Sequence, residues 1–215
     1  MEHRPFGMID RMESVMESVV GGLDIRWDRQ VLEPRPWTVE QAEWLAELGA
    51  TAPAGAALEL CSGVGHLGLV LHRLTGRRLV MVDANPRACE LATENARAAG
   101  IEELEIRNSV MARALAPQER FALVLADPPW VPRAEITRFP DDPTIAIDGG
   151  PTGLDLAVQC LDLIEQHLLD GGHAVLQLGT AEQVEELMAE RAPTRVELVE
   201  VRRRDRGVLA HLRTC

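Results

Sequence analysis

From Ala56 onward the chain repeats one pattern: a short apolar run, a turn, then a longer stretch with apolar residues three and four apart. The runs 56–61, 78–82, 103–107, 121–126 and 172–178 predict strands. The amphipathic stretches 66–74, 86–99, 153–169 and 181–191 predict helices. Runs that are apolar throughout, rather than at alternate positions, belong to strands covered on both faces. Strands and helices in alternation predict an α/β protein with a Rossmann-like, doubly wound, seven-stranded sheet, mostly parallel. The last two strands, 195–202 and 207–213, are joined by a turn too short for a crossover, so the C-terminal pair is expected to be antiparallel. Ahead of this region, Met8, Met12, Val15, Met16 and Val19 stand at helical spacing and predict a helix over 8–20, ended by Gly21-Gly22. Residues 23–33 alternate loosely and predict a short hairpin. Thr38-Val39-Glu40-Gln41 reads as a capping box opening a helix that Gly49 closes. The expected organisation is residues 1–50 as N-terminal helix, hairpin and capping helix, and residues 51–215 as the α/β domain.

With 215 residues the chain is long enough for one sizeable core. Its hydrophobic content of 46% and charged content of 26% are ordinary globular values. No apolar run approaches transmembrane length, and the start lacks the apolar stretch of a signal peptide. Cys61, Cys89, Cys160 and Cys215 are widely spread without a Cys-x-x-Cys, which argues against a zinc site or a disulfide scaffold. A cytoplasmic location is therefore expected, with no membrane and no metal. The 34 acidic and 22 basic side chains give a net charge of −12, which disfavours duplex nucleic acid but not a flipped base. The cluster Arg202-Arg203-Arg204-Asp205-Arg206 reads as a solvated turn between two strands.

Two segments carry chemistry. Glu59-Leu60-Cys61-Ser62-Gly63-Val64-Gly65-His66 lies where the first long strand becomes a helix, and Gly63 and Gly65 let the backbone turn sharply beside a ligand. Asp83 ends the second strand, where a carboxylate accepts both hydroxyls of a ribose; its structural alternative is a cap for the helix opening at Pro86. Glu59 ahead of the loop suits a cationic amino-acid tail and repels a pyrophosphate. An acid, a glycine turn and then Asp83 form the pattern expected for S-adenosyl-L-methionine. The second segment is Asp127-Pro128-Pro129-Trp130, at the end of the strand 121–126. Two prolines forbid helix and fix an extended exit from the sheet. A carboxylate, bare carbonyls and a flat ring then converge on one point, which suits a planar NH2 group. The alternative is a strand-end cap and a core aromatic. The loop 130–151 is long enough to expect a functional role. His66 reads as a helix-start residue and Cys61 as a small residue beneath the cofactor.

In their order these segments resemble the class I S-adenosylmethionine-dependent methyltransferases of the HemK/PrmC type, which methylate a glutamine amide in release factors. Val31-Leu32-Glu33-Pro34-Arg35-Pro36-Trp37-Thr38 is similar to the family's VLxPRPxTE. Glu59 to Gly65 and Asp83-Ala84-Asn85-Pro86 resemble its cofactor motifs, and Asp127-Pro128-Pro129-Trp130 resembles its NPPY. Residues 146–155, Gly171-Gly172 and Asp205 to Leu209 resemble its remaining motifs. The resemblance implies an N-methyltransferase in which Asp127, Pro128, Pro129 and Trp130 hold the nitrogen. It implies cofactor contacts from Glu59, Ser62, Gly63, Gly65, Asp83 and Ala84, and from Asn108 and Ser109, which stand where the family has an adenine-contacting Asp. Arg35, Trp37 and Arg133 are expected on the substrate side, with Arg138 and Asp141-Asp142 nearby. Asp for Asn at 127 and Trp for Tyr at 130 depart from the family. So does the stretch of about thirty residues before Val31, where bacterial release-factor enzymes carry a helical docking domain. A protein glutamine or a small biosynthetic molecule is favoured as acceptor over a base amine in nucleic acid. A small activator protein, a homodimer and a non-catalytic methyltransferase-like subunit are the remaining alternatives for partnership.

Overall fold

The computed structural model describes residues 14–204 and 206–215. Its central sheet has seven strands in the order β5-β4-β3-β6-β7-β9-β8. These are β3 (Ala57–Leu60), β4 (Leu79–Asp83), β5 (Leu104–Asn108), β6 (Phe121–Ala126), β7 (Leu168–Leu178), β8 (Val196–Arg204) and β9 (Gly207–Thr214). The strands β3 to β7 are mutually parallel, and β9 runs antiparallel to both β7 and β8. The order reverses between β3 and β6, and at such a switch point the loops leaving the strand ends diverge and open a crevice.

Both faces of the sheet are covered, which is why its central strands read as unbroken apolar runs. Leu58, Leu60, Val80, Val82, Val124 and Ala126 pack towards α5 (Asp155–His167) and α6 (Ala181–Arg191). Their alternates Ala57, Leu79, Met81, Leu123 and Leu125 pack towards α1 (Val39–Leu48), α2 (His66–Thr75) and α3 (Pro86–Ala98). Side-chain alternation along each strand sends the two sets to opposite faces.

The N-terminal part departs from expectation. Met16–Val20 is a strand, β1, paired antiparallel with β2 (Leu23–Trp27), so the helix expected over 8–20 does not extend through it. Residues 8–13 of that stretch lie outside the described residues. Gly21 and Gly22 both have positive φ and make the two-residue hairpin turn rather than a helix end. Val20 and Ile25 are buried against α2 and α3, and Asn95 of α3 fixes the hairpin. Its side chain accepts from the Arg26 N–H (2.8 Å) and donates to the carbonyls of Arg26 and Val64 (both 3.0 Å).

The capping box does not form either. Pro36–Thr38 is already a 3-10 turn, so Thr38 has helical backbone angles and makes no side-chain cap. Gln41 is instead buried, donating to the carbonyls of Ala126 (2.8 Å) and Val175 (3.1 Å) and so joining α1 to β6 and β7. The loop after β6 is more ordered than expected. It contains a 3-10 turn, Arg133–Arg138, and a single helical turn, α4 (Thr144–Ile147). A parallel bridge between Val131 and Asp148 closes it. Among the described residues no helix is long and apolar enough to cross a membrane.

Candidate active site

A cavity of about 1010 Å³ opens at the carboxyl ends of β3, β4 and β6, at the upper end of the usual range for ligand pockets. On one side lies the turn from β3 to α2. Cys61, Gly63 and Gly65 have φ of 58°, 52° and 80°, and the Gly65 N–H closes the turn on the Ser62 carbonyl (2.8 Å). The two glycines serve different ends. A Cβ at Gly63 would meet nothing, because the space beside it is the cavity, whereas one at Gly65 would press on Met81 and Ala92. Gly65 thus lets α2 and α3 close on the sheet and does not itself line the cavity.

Asp83 is held from two directions. Its Oδ2 accepts from the Gly63 N–H (2.7 Å) and its Oδ1 from the Asn85 N–H (2.8 Å). The cap of α3 is Asn85, whose side chain accepts from the Arg87 N–H (3.0 Å), so Asp83 is free of that structural task. Burial raises the Asp83 carboxyl, and these backbone bonds partly offset the rise. Ala84 and Ser109 line the cavity beside it. Asn108, expected beside the cofactor, is exposed and not part of the lining, because its side chain is turned to donate to the Asp83 carbonyl (3.2 Å).

Glu59 is almost wholly buried, and its Oε2 has no hydrogen-bond partner among the described residues. Burial drives its carboxyl well above the ordinary range. The Gly68 backbone lowers it, and the charges of Asp127 and Asp83 add to the rise. The Ser62 hydroxyl is likewise buried without a partner.

Opposite stands Asp127. The residue is half-buried at the cavity wall, and its carboxylate takes part in no hydrogen bond or ion pair among the described residues. Burial alone lifts it from the ordinary 3.8 to about 7. Pro128, Pro129 and Trp130 line the cavity with it. Trp130 also packs on Gly179, where a Cβ would come 2.5 Å from its ring, so it is both a wall of the cavity and a partly buried aromatic of the core. Its carbonyl accepts from Gln183 Nε2 (3.0 Å), which fixes the exit of the chain from β6.

The outer rim holds Arg35 and Trp37. Arg35 pairs with Asp142 (2.6 Å) and Glu33 (3.3 Å), its guanidinium 5.6 Å from the Trp37 ring centroid. Arg206 lies over the same ring at 4.7 Å and also lines the cavity. The arginine cluster is therefore more than a solvated turn: Arg202 stacks on Trp44 at 3.8 Å and Arg204 pairs with Glu40. Arg138, Asp141 and Asp142 line the rim. Arg133 is directed elsewhere, to an ion pair with Asp148 (3.0 Å), and is not part of the lining. His66 begins α2 as expected and also borders the cavity, and so does Gln177 near the end of β7. Gln177 sits in an apolar strand, and its only sequence signal is that single polar residue near a strand end.

A family model described as "Methyltransferase small domain" matches residues 42–139. Release factor glutamine methyltransferase of Cereibacter sphaeroides is 30% identical over 186 residues, covering 83% of this chain and 63% of that protein. Ribosomal protein uL3 glutamine methyltransferase of Xanthomonas campestris pv. campestris is 28% identical, covering 78% and 56%. In fold and in homology the chain matches the HemK/PrmC-like class I methyltransferases. A methyltransferase from Pyrococcus furiosus superposes with a TM-score of 0.66 at 15% identity, covering 89% of this chain and 88% of that one. The chain spans about three fifths of the length of the first curated relatives it matches.

Fold and homology support the use of S-adenosyl-L-methionine, and the residues fit it independently. Glu59, Asp83 and Asp127 place three carboxyl groups around one cavity, each raised by burial, and a cationic ligand would favour their ionised forms. The unpartnered Glu59 Oε2 and Ser62 Oγ lack the hydrogen bonds that a buried polar atom requires. Asp83, anchored by the Gly63 loop, presents a carboxylate with acceptor capacity left over at the cavity wall.

Proposed function

We propose that this protein is an S-adenosyl-L-methionine-dependent N-methyltransferase that acts on a planar nitrogen held by Asp127, Pro128, Pro129 and Trp130. The observation that carries the reading is the Asp127 carboxylate, without a hydrogen-bond partner in the cavity that also holds Asp83 and the Gly63 turn. When bound, the cofactor supplies an electrophilic methyl group, and Glu59, Ser62, Gly63, Asp83 and Ala84 would hold it.

The protein's own work is positioning. A planar NH2 group is a poor nucleophile because its lone pair is delocalised. Acceptance of its two hydrogens by Asp127 and by the Pro128 carbonyl favours a pyramidal nitrogen with its lone pair directed to the methyl. Trp130 stacks on the flat face of the acceptor and, as an electron-rich ring, favours a cation near it. As the N–CH3 bond forms, the nitrogen must release a proton. With its ionisation near 7, Asp127 is matched to receive that proton at neutral pH.

Both named relatives act on a glutamine, so a glutamine side-chain amide in a protein is the first acceptor proposed. A second reading rests on Asp127 itself. A carboxylate accepts but does not donate, so unlike Asn it offers nothing to an amide carbonyl, and it favours a small amine or amidine. The two separate by experiment. The protein is incubated with methyl-labelled cofactor and either a cell protein fraction or a small-molecule extract, and the label is located by mass spectrometry. Label on glutamine supports the first reading and label in the small-molecule fraction the second. The Asp127→Ala variant is expected to bind cofactor in calorimetry yet transfer no methyl. Full activity in that variant removes the nitrogen clamp, and no binding at millimolar cofactor removes the enzyme.

A further inference from the structure

One hydrogen-bond chain fixes the state of a histidine that the proposed mechanism leaves unused. The Thr38 hydroxyl contacts the Arg35 carbonyl at 2.7 Å. A carbonyl only accepts, so the single hydroxyl proton is committed there. Thr38 Oγ1 also lies 3.2 Å from His66 Nε2. With its proton already donated, the hydroxyl oxygen can only accept in this second contact, and Nε2 must carry the hydrogen. Burial holds the ring neutral, its ionisation lowered to about 4. A neutral imidazole carries one N–H, so Nδ1 is a bare lone pair. That nitrogen is closed to solvent and has no hydrogen-bond partner, although the ring borders the cavity.

Three of the buried polar atoms without partners, Glu59 Oε2 in β3, Ser62 Oγ in the turn and His66 Nδ1 at the start of α2, lie along one stretch of eight residues. His66 Nδ1 is an acceptor only, Ser62 Oγ accepts as well as donates, and the Glu59 carboxyl, raised by burial, accepts through both oxygens once a cationic ligand favours its ionised form. Buried acceptors left unpaired in a cavity wall are matched by a ligand that brings N–H donors. We infer that His66 is a ligand-binding residue whose Nδ1, fixed as an acceptor by the Arg35–Thr38 chain, takes an N–H of the bound molecule after a small tilt of the ring. The N–H belongs either to the ammonium of the methyl donor's amino-acid tail or to a nitrogen at the methyl-transfer end of the cavity. This rests on the methyl-transfer reading above.

The test is long-range proton–nitrogen NMR of the histidine rings, with His66 identified by its loss in His66→Gln. The free protein at neutral pH is expected to show His66 with a protonated Nε2 and a bare Nδ1. Three probes are then added in turn. S-Adenosylhomocysteine carries the ammonium tail, methylthioadenosine has the same nucleoside without it, and sinefungin adds an amine where the departing methyl would sit. A shift of the Nδ1 signal with S-adenosylhomocysteine and not with methylthioadenosine assigns the tail. A shift with sinefungin alone assigns the transfer end. Either supports the inference. In calorimetry His66→Ala should weaken the probe that caused the shift roughly tenfold and leave methylthioadenosine within about twofold. A protonated Nδ1, or an unmoved signal with all three probes bound, overturns the role of His66 while leaving the methyl-transfer reading standing. If no probe binds, that reading fails first and takes this inference with it.

Discussion

Asp127 is expected to destabilise the protein that depends on it. Consider Asp127→Asn, which keeps the shape of the side chain and removes its charge. The carboxyl ionises near 3.8 in an unfolded chain and near 7 in the folded cavity. Below the first value both states are protonated and the charge is irrelevant. Between the two values the unfolded chain releases its proton while the folded one retains it, so the folded state loses stability as pH rises. Above about 7 both are ionised and the penalty is constant. At about 1.4 kcal/mol per pH unit, the full difference is about 4 kcal/mol. The cavity is open to water, and screening reduces this to ~2 kcal/mol. Relief of Glu59, which Asp127 also drives upward, acts in the same direction. Asp127→Asn should therefore match the parent near pH 4 and exceed it by ~2 kcal/mol at pH 8, or roughly 4–8 °C in melting temperature for a chain of this size. Urea unfolding of both proteins across this range, without ligand, measures the difference directly. A difference independent of pH, or a less stable variant at pH 8, would refute the claim that desolvation governs this carboxylate.

Asp83→Ala removes the acceptor anchored by Gly63 and Asn85 and should weaken cofactor binding by ~10- to 100-fold in calorimetry; an unchanged dissociation constant removes its ribose role. Asn95→Ala leaves the Arg26 N–H and the carbonyls of Arg26 and Val64 unpaired and should cost ~2–3 kcal/mol in urea unfolding; a loss near zero would show that the hairpin does not need this clamp. His211 is held neutral by burial and by His173 beside it (3.0 Å), its ionisation lowered from 6.5 to about 4. Its contribution is complete above 6.5 and is lost as pH falls towards 4, so His211→Gln should flatten that part of the stability profile by ~2 kcal/mol. Identical acid limbs in the two proteins would exclude it.

The parts of the site that sequence revealed are those built within one short segment. A glycine turn after an apolar run, a carboxylate at the next strand end and Asp-Pro-Pro-Trp at a third each declare their local geometry, and a parallel sheet brings such ends together. Met16 to Val20 misled for a physical reason. Over five residues, apolar positions at 15, 16 and 19 satisfy a helical period, while 16 and 20 also satisfy a strand with Ser18 between them. The deciding signal is the Gly21-Gly22 pair, whose two positive φ values suit a hairpin turn as well as a helix end. Thr38 was misjudged because capping sequences do not report the turn that precedes them.

The walls of the cavity were not legible, because their partners are far apart in the chain. Arg206 reaches Trp37, Gln41 reaches the carbonyls of Ala126 and Val175, and Thr38 sets the proton of His66. None of these contacts leaves a periodicity. They do leave an energetic trace, because three of the five buried polar atoms without a hydrogen bond among the described residues, Glu59 Oε2, Ser62 Oγ and His66 Nδ1, belong to residues that line the cavity, and a fourth, Gln41 Oε1, lies on the residue that braces the carbonyl just before Asp127. Each unpaired buried group costs ~1–3 kcal/mol. A sheet that is apolar on both faces can carry that cost at one switch point, because almost every other buried position is spent on packing. On the proposed reading, the penalty on Asp127 and the missing partners around Glu59 have one cause: the cavity takes a bound cation and an N–H donor. Ligand binding should accordingly stabilise this fold by more than its contact area suggests, with the gain largest above pH 7, where Asp127 is ionised.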